Sequence, residues 1–139
     1  MKINSFERTL DMLHRGLDVN VLRRNVIADN MANAGTPNFK RSEVTFESEL
    51  QRALDTETQR PALELSLTNP RHIPSWRERD YRDVRPRRVL DYVSSSNNNG
   101  NNVDAEQETV LALQTQMLYT LLAQSAAFEF NQVSMVLRG

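Results

Sequence analysis

Cysteine is missing from all 139 residues. Disulfides and thiolate metal sites are thereby excluded, while a reducing and an oxidising compartment fit equally well. Aromatic residues make up only 6% of the chain, which argues against a large aromatic-rich core. No apolar run approaches the roughly 18 residues that a membrane-spanning helix needs. The opening MKINSFERTLDMLHRGLDVN is interrupted by charges and has no apolar h-region. No cleavable secretory signal is expected from it. A formal net charge of -1 offers no overall attraction to nucleic acid or an anionic membrane.

Catalytic constellations are scarce too. The histidines are His14 and His72. His14 lies beside Arg15 and reads as a solvated helix-face residue, and His72 sits in the turn-rich NPRHIP. HExxH, GxSxG, a glycine-rich phosphate loop and an EF-hand loop do not occur. Glu106 and Glu108 fall near a helix start, where the dipole favours acids. No catalytic residue, cofactor site or metal site is predicted, and the chain is not expected to be an enzyme.

What is present is helical at both ends. From Ile3 to about Ala34 a seven-residue register picks out Ile3, Phe6, Leu10, Leu13, Leu17, Asn20, Arg24, Ile27, Met31 and Ala34. Most are apolar, with a polar break at Asn20 and Arg24, so a long amphipathic helix with a coiled-coil-like stripe is predicted. Asn4 or Ser5 is placed to cap it. Gly35 is expected to supply a left-handed turn at its end, and Pro37 forbids continuation. A second long helix is predicted after Asn102, with Asp104 as N-cap and Gln107 as capping-box partner. Its apolar residues, including Val110, Leu113, Met117, Leu118, Leu121, Phe128 and Met135, fill more than one stripe. Contacts on two sides are therefore expected.

The middle is polar and broken by proline. TFESELQRALD suggests a short helix, and ALELSLT alternates leucines as a short strand. SSSNNNGNN, residues 94 to 102, is expected to be a flexible polar linker with nothing to bury. RHIPSWRERDYRDVRPRRV interleaves arginines with Trp76 and Tyr81, a pattern that can stack on single-stranded nucleic acid. Glu78, Asp80 and Asp83 interrupt it, and the balance favours salt bridges at a polar protein interface. The fold class is mainly α: long N- and C-terminal helices packing as a coiled-coil-like pair, joined by an irregular middle. One structural domain is expected, with the N-terminal helix at 1–34, the middle at 35–102 and the C-terminal helix at 103–139. Such a layout buries little surface for its length, so part of the apolar stripe should meet other subunits.

The stretch NVIADNMANAGTPNFK poses a specific question. Asn33 and Asn38 suit the turn around Gly35 and Pro37. Asn25 and Asn30 lie further back, where asparagine is a poor helix former. Buried amides in helical interfaces fix register at some cost in stability.

This stretch resembles the N-terminal signature of the bacterial flagellar rod, hook and hook-associated axial proteins, Asn-Ile-Ala-Asn-x-x-Thr-x-Gly-Tyr-Lys. The matching residues are Asn30, Ala32, Asn33, Thr36 and Lys40. Met31 stands for the isoleucine, Phe39 for the tyrosine and Asn38 for the glycine. Asn38 tolerates positive φ better than most residues, so the turn should survive. LTNPRHIP and GNNVDAEQETVLALQTQMLYTLLAQ are similar to signatures of a short proximal-rod type, with a neighbouring proximal-rod type as the alternative. The resemblance implies a structural subunit of the basal-body rod. It implies export by the flagellar type III apparatus and assembly with copies of itself and other rod proteins. Contacts with membrane-ring and export-gate junction proteins are also implied, without nucleic acid or membrane insertion. The assembly residues it implies are Phe6, Leu10, Leu13, Leu17, Ile27, Asn30, Asn33, Thr36, Pro37, Phe39 and Lys40, together with Val103, Val110, Leu113, Met117, Leu118, Leu121, Phe128 and Met135. Two competing classes are a helical adaptor or export chaperone and a single-stranded nucleic-acid binder.

Overall fold

The computed structural model describes residues 5–58, 68–69, 71–73, 79–94 and 98–138. In chain order these form α1 (Ser5–Ala32), β1 (Ser42–Thr45), α2 (Glu47–Thr58), a 3-10 turn (Tyr81–Asp83), β2 (Arg87–Leu90) and α3 (Ala105–Arg138). The fold is mainly helical. The strand expected over ALELSLT and the cap expected at Asn4 lie outside the described residues, as do Trp76 and Arg77.

The chain forms two compact units, Met1–Val44 with Arg88–Gly139, and Thr45–Arg87. In the first, α1 packs along α3. With 28 and 34 residues they run about 42 Å and about 51 Å at the helical rise. Three contacts fix their relative direction. Phe6 meets Phe130 edge-on with ring centroids 6.3 Å apart. A Cβ on Gly16 would stand 3.2 Å from Leu122 Cδ1. Asn30 bonds Glu108. Contacts therefore advance along α1 as they retreat along α3, so the helices are antiparallel and form a coiled-coil-like pair.

The seven-residue register holds in the first half of α1, where Phe6, Leu10, Leu13 and Leu17 are half-buried. In the second half it holds at Asn20 and Ile27 and breaks at Arg24 and Met31, while Val19, Val26 and Asn30, off the register, are buried. The buried face turns because a second element covers it: β1 lies against Asn30 through Ser42. A two-helix repeat does not foresee a third partner.

β1 and β2 form a two-stranded sheet. At one end the Asp91 N–H donates to the Arg41 carbonyl at 2.8 Å. At the other, the Thr45 hydroxyl reaches the Arg87 carbonyl. That pairing order is antiparallel. The second unit holds α2, close to the predicted short helix, and the 3-10 turn. Among its described residues the buried side chains are Phe46, Ala53 and Tyr81.

The start of α3 follows its predicted cap. Asp104 Oδ1 accepts the N–H groups of Glu106 at 2.9 Å and Gln107 at 3.3 Å. The end of α1 does not follow the predicted glycine cap. Among the described residues the left-handed positions are Asn38, with φ 60°, and Gly100, with φ 79°. Gly35 is not one of them. Asn38 therefore holds the conformation that the family pattern assigns to glycine.

Candidate functional site

Two features distinguish the first unit: a buried polar clasp where α1 ends and α3 begins, and a long uncovered apolar face on α3.

The clasp is built from amides. Asn30 is 1% exposed. Its Oδ1 accepts the Ser42 N–H at 3.0 Å, and its Nδ2 donates to the Ser42 carbonyl at 2.9 Å. One side chain thus pairs with both backbone groups of a strand residue, as a neighbouring strand would. Asn102 does the same between the strand ends. Its Oδ1 accepts the Arg41 N–H at 2.6 Å and its Nδ2 donates to the Asp91 carbonyl at 2.7 Å.

Asn101 closes α1. Its Nδ2 donates to the carbonyls of Asn33, Ala34 and Thr36 at 2.9, 3.0 and 2.8 Å. These lie at and just past a helix end, where carbonyls have no intrahelical partner. Its Oδ1 accepts the Val103 N–H at 2.7 Å, directing the chain into α3. Asn101 and Asn102 are 1% and 3% exposed, so this end of the asparagine run is core and not a flexible linker. The polar composition misleads because the backbone around it supplies matching donors and acceptors.

An ion pair lies beside the amides. Glu108 is fully buried, and its Oε1 accepts from Arg41 Nε at 2.5 Å and Asn30 Nδ2 at 3.2 Å. Arg41 also bonds Glu43 and stands 3.8 Å from Asp91. Burial alone would lower the Arg41 pKa, but the bond and charge of Glu108, then of Glu43, outweigh it and hold the guanidinium above its ordinary value. Asp91 is held down, to about 2, first by the Ser94 hydroxyl and then by the Ser94 and Val93 N–H groups. Glu108 is therefore not simply a dipole-favoured acid of the first turn, the role that remains to exposed Glu106.

A cavity of about 260 Å³ opens beside this pair, lined by Val26, Ile27, Val44 and Leu111 among others. Among the described residues no three histidine or acidic side chains cluster as a metal site. No helix there is long and apolar enough to cross a membrane. His14 and His72 are exposed. Two of the arginines expected at a polar interface have partners in their own unit: Arg88 bonds Asp29 at 3.0 Å, and Arg79 stands 3.7 Å from Glu49. Tyr81 is 3% exposed and has Arg82 over its ring, so its face is not open for stacking.

Residues expected at an assembly surface divide clearly. Ile27, Asn30 and Val103 are buried inside the chain and offer a neighbour no surface. Asn33 Nδ2 turns back to the Asp29 carbonyl at 2.8 Å, a local cap. Lys40 Nζ donates to the Gly100 carbonyl at 2.8 Å. Phe39 is half-buried, and Thr36 and Pro37 are exposed. The α3 residues behave differently. Val110, Leu113, Met117, Leu118, Leu121, Phe128 and Met135 are all exposed, Met117 to 73%. Phe130, Val136 and Leu137 extend the exposed set. Large exposed apolar patches are, in proteins generally, a common feature of interaction sites.

No family model matches the chain. Curated proteins do. A flagellar basal body rod protein FlgB from Borreliella burgdorferi is 46% identical over 136 residues, covering 98% of this chain and 100% of that protein. The FlgB of Borrelia hermsii is 47% identical with the same coverage, and that of Bacillus subtilis is 33% identical over 96% of both.

The chain belongs to the FlgB family.

Likeness to FlgB spans both helices, the clasp and the middle. It separates this chain from the neighbouring proximal-rod type that shares the N-terminal signature. Arg41 and Ser42 were not singled out from the sequence, Asn101 and Asn102 read there as linker, and Glu108 as a dipole-favoured acid. The visible signal was a cationic residue after the family's lysine, and an acid one turn into α3.

Proposed function

We propose that this chain is a structural subunit of the flagellar basal-body rod. The observation that carries the reading is the apolar face of α3, uncovered in a chain whose FlgB likeness runs end to end. In this reading the clasp fixes α1 against α3, and the pair presents α3 to copies of itself and to other rod proteins. The contacts are heterologous and do not close into a ring, so they propagate an axis. The segments 1–34 and 103–139 act as the axial helices, and the part of 35–102 outside the clasp meets outer neighbours. The subunit sits in the proximal rod, between the membrane ring and export gate and the rest of the rod. It reaches that place through the flagellar type III apparatus. The proposal assigns no catalytic step.

The test is a pair of substitutions on α3, Leu121→Glu and Phe128→Glu, in a strain lacking its own copy. Secretion of the variant is measured separately from rod assembly. The expected result is normal secretion with rod assembly and motility lost. Rods of normal number and length in both variants would overturn the proposal.

A further inference from the structure

The chain has one Asn-Gly pair, Asn99–Gly100, at the edge of the clasp. We infer that Asn99 is a self-modifying position, whose side-chain amide is converted to a carboxylate by the backbone that follows it. The chemistry is intramolecular. Gly100 N, having given its proton to hydroxide, attacks Asn99 Cγ and forms an N–Cγ bond. The tetrahedral carbon then breaks its bond to the side-chain nitrogen, which leaves as ammonia after taking a proton from water. A five-membered imide remains. Water adds to one of its two carbonyls and breaks that ring C–N bond, leaving aspartate or iso-aspartate. Nothing is oxidised or reduced, and water and hydroxide are the only co-reactants.

Three local features favour these steps. Gly100 has no Cβ to crowd the attack, and among the described residues its N–H has no acceptor. Loss of that proton places negative charge on the Asn99 carbonyl oxygen, which already accepts the Asn38 N–H at 3.1 Å. Attack at Cγ places negative charge on Asn99 Oδ1, which already accepts the Asn101 N–H at 3.1 Å. Each oxygen that gains charge thus faces a fixed backbone donor, the arrangement that stabilises charge developing in a transition state. Asn99 is itself exposed, so water and hydroxide reach it. The iso-aspartate product adds a methylene to the main chain two residues before Asn101. That displaces the amide holding the end of α1.

The test incubates the full-length chain at one mildly alkaline pH and temperature, folded in buffer and unfolded in guanidinium chloride. Conversion at Asn99 is read by peptide mass and by enzymatic methyl transfer to iso-aspartate. Circular dichroism confirms the state of each sample. Several-fold faster conversion at Asn99 in the folded chain is expected. Conversion that is equal or slower in the folded chain, or absent at Asn99, would overturn the inference.

Discussion

Asn101 concentrates more backbone bonding in one side chain than any other residue of the clasp. Asn101→Ala takes the side-chain donor from the carbonyls of Asn33, Ala34 and Thr36; those of Asn33 and Thr36 keep the N–H groups of Thr36 and Phe39, so the loss falls mainly on Ala34 and should cost about 1–3 kcal/mol. Asn101→Asp should be worse, because an acceptor then faces the carbonyls of Asn33, Ala34 and Thr36. Denaturant unfolding should rank wild type above Asn101→Ala, and that above Asn101→Asp; the reverse order of the two variants would contradict the assigned amide orientation. The ion pair makes a second prediction. Glu108→Ala takes from Arg41 its fully buried partner, leaving only Glu43 and the more distant Asp91, and should cost up to about 3–5 kcal/mol, the range for one partner lost from a buried pair. Replacing both, with Arg41→Met and Glu108→Leu, should recover part of the loss, because no uncompensated charge remains buried. A double variant less stable than Glu108→Ala would refute this. A third prediction concerns acid. The folded-state pKa of Asp91 is depressed from 3.8 to about 2. Its stabilising share is therefore complete above pH 3.8 and is lost as pH falls through about 2. Asp91→Asn should flatten the loss of stability across that window, seen in thermal midpoints measured step by step between the two values.

At the scale of elements, local signals in the sequence translated directly into structure. The Asp104 cap, the two long helices and the short helix rest on residues a few positions apart. So does the positive φ of Asn38, a matter of its own side chain. The clasp was not legible for the opposite reason. Arg41 meets Glu108 across 67 positions, and Asn101 meets Thr36 across 65. No periodicity encodes such pairs, and asparagine-rich composition argues for solvent until the folded backbone supplies partners. The α1 register failed at Arg24 and Met31 because β1, a non-local partner, decides which face is covered there. The same division predicts how α3 responds to change. Leu121→Glu and Phe128→Glu alter side chains 59% and 58% exposed, so unfolding free energy should shift by only about 0.5 kcal/mol. A large loss of monomer stability in either would mean that the face is folded against its own chain.

For the whole molecule, stability is distributed unevenly along the helix pair. The clasp joins the end of α1 to the start of α3. At the far end Met135, Val136 and Leu137 are 65%, 82% and 80% exposed. Helices gain most of their stability from packing of an apolar face, so the far end should open first. Amide hydrogen exchange on the isolated chain should show the strongest protection near Asn30 and Glu108, fading toward Phe128–Arg138. Uniform protection along both helices would argue against a subunit completed by its neighbours. The central claim is that the clasp is internal and the α3 face is the adhesive. A side-chain-resolution map of the assembled basal-body rod tests it most directly. The account predicts Leu113, Met117, Leu121, Phe128 and Met135 covered by neighbouring subunits, with the Asn30–Ser42 and Arg41–Glu108 pairs intact within each chain. A map in which those α3 side chains stay bare, or in which the clasp residues exchange partners between chains, would contradict it.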